Sequence, residues 1–103
     1  MDIAFRIKYA PAFRADVLNV VSYLEDYPQK AIRIFEKIDR KLLLLPQMPE
    51  MYPVYEDFPY FRKITVEDYL VFYTVNDKDS LIEIHRLIYG GMDIKSLLDE
   101  SDK

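Results

Sequence analysis

Arg86-Leu-Ile-Tyr-Gly-Gly-Met-Asp93 carries an apolar run into the only two glycines of the chain and stops at an acidic residue. The residues leading into it, from Leu81, are rich in branched apolar side chains. That combination reads as a β-strand ending at Tyr89. Side chains alternate along a strand. Ile82, Ile84 and Ile88 therefore share one face, with Arg86 in phase. Leu81, Glu83, His85, Leu87 and Tyr89 share the other. The isoleucine face is expected to meet the helices of the core. Strand ends beside glycine turns are common places for chemistry, so what surrounds this one matters.

Upstream, Tyr69-Leu-Val-Phe-Tyr-Thr-Val75 consists almost wholly of β-formers, and Asn76-Asp-Lys-Asp79 is a polar hairpin turn joining it to the last strand. Phe61 to Val66 alternates and is β-branched, with Glu67-Asp68 as its turn. Strands joined by turns this short run antiparallel. Gln47 to Pro59 contains Pro49, Pro53 and Pro59. It reads as a loop lying over the core, pinned by its aromatics.

The first half is helical. Pro11 suits the first turn of a helix, where its missing N–H takes nothing from the structure. Phe13, Val17, Val20, Val21 and Leu24 recur at helical spacing, and Asp26-Tyr27-Pro28 ends the run. A second helix carries Ala31, Ile34, Phe35, Ile38, Leu42 and Leu45 on its apolar side and closes at Pro46. Ile3 to Tyr9 alternates as an opening strand. After Gly91, one turn of helix is expected at Ile94 to Leu98, with residues 99–103 frayed. The expected order is β-α-α-β-β-β over residues 1–103 as one domain. This is an α+β fold, an antiparallel sheet with a helix hairpin packed on one face.

The chain has 103 residues, half of them apolar, and a net charge of -4. That balance argues against nucleic-acid binding through overall charge. The absence of cysteine excludes disulfides, a thiolate metal site and a cysteine nucleophile. No signal-peptide pattern opens the sequence, and the longest unbroken apolar run, Leu42 to Leu45, is far too short to span a membrane. A cytoplasmic protein without a cofactor or metal is expected.

Four features have chemical potential. His85 is the only histidine and reads either as an ordinary sheet residue or as a base. Arg62 and Arg86 fall in phase with apolar neighbours. An unpaired charge there would be costly, so each either pairs with a carboxylate such as Glu36, Asp39 or Glu56, or is set for a phosphate or a partner's carboxylate. Lys30, Arg33, Lys37 and Arg40 form a basic stripe on the second helix. The stripe is either a solvated face or a docking face for an acidic partner or nucleic acid. The tyrosines, Tyr89 among them, either edge the core or stack bases.

The element order, the run Phe61-Arg-Lys-Ile-Thr-Val66, the strand from Tyr69 to Val75 and the segment Ile82 to Asp93 together resemble the RelE/ParE toxin superfamily. The resemblance covers nearly the whole chain. It implies the toxin half of a type II toxin–antitoxin pair, of the kind that stabilises plasmids or arrests growth, silenced by a cognate antitoxin. RelE-type members cut mRNA on the ribosome, and ParE-type members poison DNA gyrase. The basic residues of the ribonuclease branch do not carry over. Leu70 follows Tyr69 where that branch has arginine, Gly90-Gly91-Met92-Asp93 stands where it has a basic cluster, and no tyrosine follows Tyr89. The resemblance therefore points to a ParE-like protein that binds gyrase and is not an enzyme, with Lys30, Arg33, Lys37 and Arg40 meeting the partner. The alternatives are a ribosome-dependent mRNA endonuclease using Arg62, His85, Arg86 and Tyr89, or a diverged binder without toxicity.

Overall fold

A computed structural model describes residues 4–101. The elements are β1 (Arg6–Tyr9), α1 (Pro11–Tyr23), α2 (Pro28–Leu44), β2 (Val54–Tyr55), β3 (Phe58–Val66), β4 (Tyr69–Asn76), β5 (Leu81–Tyr89) and α3 (Ile94–Ser101). The expected start of β1 at Ile3 and the expected fraying at Asp102 and Lys103 lie outside the described residues. Both long helices open with proline at their first position, Pro11 as expected, and Pro28, read in the sequence as the stop of the first helix, as the start of the second.

The sheet has the order β1-β5-β4-β3-β2. β3, β4 and β5 are antiparallel, as their short turns require. β1 lies parallel to β5 at the edge, so the sheet is mixed rather than antiparallel throughout. Alternation sets which face a strand buries, not its direction. Here the direction shows in the register, which rises together from Arg6 opposite Leu81 to Tyr9 opposite Ile84, and the Ala10 N–H to Ile84 carbonyl bond at 2.9 Å carries the pairing up to the start of α1. The proline-rich segment is not wholly irregular. Val54 pairs with Arg62 and Tyr55 with Phe58, and Pro59 already belongs to β3. Pro59 is exposed near the strand start, where its missing N–H is tolerated.

β5 carries one residue more than its neighbour. Phe72 pairs with Arg86 and Tyr73 with Ile84, leaving His85 as the extra residue of a β-bulge. The bulge reverses the phase of everything after it. Leu87, expected on the far face, joins Ile82 and Ile84 under the helices. Ile88, expected under the helices, turns to the opposite face with Phe61, Phe72 and Leu98.

Two cores result. On one face, Phe13, Val20 and Leu24 of the α1 segment and Ile34, Ile38, Leu42 and Leu45 of the α2 segment pack on Ile64, Val71, Tyr73, Ile82 and Ile84. On the other, α3 covers Phe61, Phe72 and Ile88. α3 is eight residues long and runs on to Ser101, where a single turn and fraying from residue 99 were expected. Among the described residues, no helix is long and apolar enough to cross a membrane.

Candidate partner-binding site

Spacings of three and four place Lys30, Arg33, Lys37 and Arg40 on one side of α2. The turn between β3 and β4 lies against this side. Arg33 donates from Nε and Nη2 to the Glu67 carboxylate at 2.9 and 3.1 Å, and Lys37 Nζ donates at 3.1 Å. The Arg33 and Lys37 hydrogen bonds hold the Glu67 carboxyl down from 4.5 to about 2. Glu67 reaches them from a left-handed backbone, with φ 53°.

The stripe therefore divides. Arg33 and Lys37 grip Glu67. Lys37 and Arg40, with Lys41, line an open groove of about 530 Å³ walled by Leu44, Tyr52 and Val66. Lys30 faces a second groove of about 660 Å³ on the other side of the Glu67-Asp68 turn.

The second groove lies at the strand end. Tyr23, Tyr69, Tyr89 and Met92 line it, and Asp16 and Arg86 also face it. The Tyr69 and Tyr89 rings meet edge to face, with centroids 5.7 Å apart. Neither glycine has a positive φ. They serve close approach instead. The Gly90 N–H donates to the Asp68 carbonyl at 2.8 Å, and a Cβ on Gly90 would sit 3.3 Å from that oxygen. A Cβ on Gly91 would come within 2.8 Å of Tyr89 Cε2. The double glycine thus lets the Tyr89 ring lie back over the chain and form the groove wall.

Arg86 is a structural clamp. Its Nε and Nη2 donate to Asp16 at 2.7 and 3.0 Å, and Nη1 donates to the Leu97 carbonyl at 3.0 Å. The Leu87 N–H also donates to Asp16, at 2.9 Å. The partner is Asp16, not Glu36, Asp39 or Glu56, because the bulge turns Arg86 toward the chain that packs beside α1 and α3. Asp16 was missed in the sequence. The signal was its own spacing, since Phe13, Asp16, Val20 and Leu24 form a helical stripe in which Asp16 is buried, while Val21 stays 48% exposed.

Arg62 has a similar role elsewhere. Its Nη1 donates to the Tyr52 carbonyl at 2.6 Å and, more weakly, to the Glu50 carbonyl at 3.4 Å. The Glu50 carboxylate is 3.9 Å from Nη2. Arg62 therefore pins the proline-rich segment. His85 Nε2 is 3.0 Å from the Thr74 hydroxyl and 3.4 Å from Glu83 Oε1, with its ring against Phe61. Of the four residues a nuclease would use, Arg86 and Tyr89 line the strand-end groove, and Arg62 and His85 do not. Among the described residues, no cluster of His, Asp or Glu could hold a metal ion.

Tyr73 also anchors the proline-rich segment, donating its hydroxyl to the Pro49 carbonyl at 2.8 Å. Burial, its largest influence, pushes the phenol up to about 12. A raised value means the native state holds this proton more tightly than the unfolded chain does. The associated stability is intact below the ordinary value of 10.0 and is lost as pH rises toward about 12. Burial also raises Tyr9, Tyr52, Tyr55 and Tyr69. Urea unfolding across this alkaline window should show falling stability, and Tyr73→Phe should flatten the decline. An equally steep decline in the variant would remove Tyr73 as its main source.

The sequence model of the ParE toxin of the type II toxin–antitoxin system parDE matches residues 7–94. No curated protein matches the chain. Solved structures share its fold. The chromosomal ParDE system of P. aeruginosa aligns with a TM-score of 0.69 at 19% identity, covering 84% of this chain and 96% of the other. The toxin–antitoxin complex RelBE2 of Mycobacterium tuberculosis aligns at 0.59 and 13% identity, covering 84% and 99%. A free E. coli RelE bearing two arginine-to-alanine changes aligns at 0.64 and 16% identity, covering 97% and 96%. The likeness to these structures is one of fold, and the family model spans most of the sequence. The chain belongs to the ParE toxin family of type II toxin–antitoxin systems.

Proposed function

We propose that this chain, acting as one toxin domain in the cytoplasm, arrests growth by binding DNA gyrase and is neutralised by a cognate antitoxin. The carrying observation is the fate of its basic residues. Arg62 and Arg86 are committed to carbonyls and to Asp16 inside the fold, and His85 is tied to Thr74. What faces outward is binding surface, two open grooves on either side of the Glu67-Asp68 turn. RNA cleavage needs groups placed around one phosphate to orient it and move protons. Binding needs only complementary surface, and no metal or cofactor enters the proposal.

Controlled expression in a bacterium, with and without the neighbouring open reading frame, tests this reading. Viable counts should fall, and the neighbour should restore them. Purified protein should inhibit gyrase supercoiling, and mRNA from the arrested cells should remain uncut. Ribosome-dependent mRNA cleavage would establish the RelE-type activity instead. Normal growth with soluble protein present would defeat both toxin readings and leave a non-toxic binder.

A further inference from the structure

Arg33 and Lys37 already hold a carboxylate. Arg33 captures Glu67 through two nitrogens, at 2.9 and 3.1 Å, and Lys37 adds a third donor at 3.1 Å. Forked capture of this kind suits a planar carboxylate. The residue that supplies it sits in a left-handed conformation, φ 53°, where glycine is favoured and a glutamate is strained. The turn thus holds a glutamate where its backbone prefers none, and the side chain fills a pair of cations.

From Lys37 and Glu67 a groove runs on to Arg40 and Lys41, with Leu44 and Val66 as apolar walls. Arg40 forms no ion pair among the described residues. Lys41 lies 5.7 Å from the centre of the Tyr52 ring. Lys37, Arg40 and Lys41 face Glu67 alone among the acidic residues of the groove, in a chain of net charge -4.

We propose that this groove docks an acidic, amphipathic segment of a protein partner, and that Glu67 is the chain's own stand-in for one of the partner's carboxylates, displaced on binding. The inference deepens the antitoxin reading and rests on it. Partner carboxylates replace Glu67 on Arg33 and Lys37 and engage Arg40. Partner apolar side chains lie on Leu44 and Val66. Glu67 acts as a competitor, because the fraction of chains with the cations vacated scales the apparent affinity. A peptide fits better than RNA, since the cations are already arranged around a carboxylate and the walls are apolar.

The test is fluorescence anisotropy of the full chain with a labelled peptide of alternating glutamate and leucine. Binding should weaken with added salt. Glu67→Gln should tighten it about threefold, the scale of an exposed ion pair. Arg40→Glu, which removes no ion pair among the described residues, should weaken it about tenfold. Circular dichroism of each variant checks that it is folded. Equal or weaker peptide binding by Glu67→Gln overturns the stand-in role. An RNA oligonucleotide that gains more than the peptide from Glu67→Gln overturns the choice of partner. Growth arrest is read separately. Its absence with the peptide results as expected sinks the gyrase reading and leaves this groove in place.

Discussion

Asp16→Ala is expected to destabilise the protein by about 3–5 kcal/mol, the range for breaking a buried ion pair from one side. The Asp16 and Arg86 side chains are 11% and 12% exposed. The carboxylate accepts from two guanidinium nitrogens and from the Leu87 N–H. Without it, Arg86 Nε and Nη2 lose their carboxylate in a largely buried setting, and the Leu87 N–H loses its acceptor. Urea unfolding of the variant should show the loss. A paired replacement, Asp16→Leu with Arg86→Met, should recover much of it, because a buried pair exchanged for apolar side chains of similar volume is often neutral. A loss below about 1 kcal/mol in the single variant would mean that water reaches Arg86 and that the clamp is a surface pair.

Leu98→Ala is expected to remove about 2–5 kcal/mol, the range for emptying a buried leucine site. Leu98 is fully buried against Phe61, Phe72 and Ile88. α3 spans eight residues, too few for a helix to persist in water without packing. The loss should therefore appear first as local opening. Amide exchange in residues 94–101 should approach that of an unfolded segment while β4 stays protected. Unchanged α3 protection would show that contacts other than the Leu98 side chain suffice to hold the helix.

These two residues mark where the sequence was legible and where it was not. Leu98 was readable only as the end of one helical turn after the glycines, and the second core that buries it was not foreseen. The α2 stripe was also readable, because Ile34, Ile38, Leu42 and Leu45 follow one period without a break. Asp16 was not, because a carboxylate on an apolar stripe makes sense only once its cation is known, and that cation lies on another element. The bulge at His85 hid the connection. Period two assigns faces correctly up to Ile84, but an inserted residue leaves no compositional trace, so Leu87 and Ile88 exchanged sides. The parallel β1 was likewise out of reach, because alternation does not encode a neighbour. Of the candidate site, the basic stripe was plain from spacing. The acidic residue that occupies it was not, since Glu67 reads from sequence as an ordinary turn residue.

β1 has a single strand neighbour, β5, and Asp16 finds its cation 70 residues further along the chain. The strand partner of β1 and the cation of Asp16 are thus both supplied by β5. Closures of such long range slow folding. During synthesis, at about 5–20 residues per second, β1 and α1 wait several seconds for a strand that does not yet exist. A chain halted before β5 lacks the sheet edge for β1, the counterion for Asp16 and the Tyr89 wall of the strand-end groove. The groove of Lys37, Arg40 and Glu67 draws on no β5 residue, whereas the strand-end groove is complete only when β5 arrives.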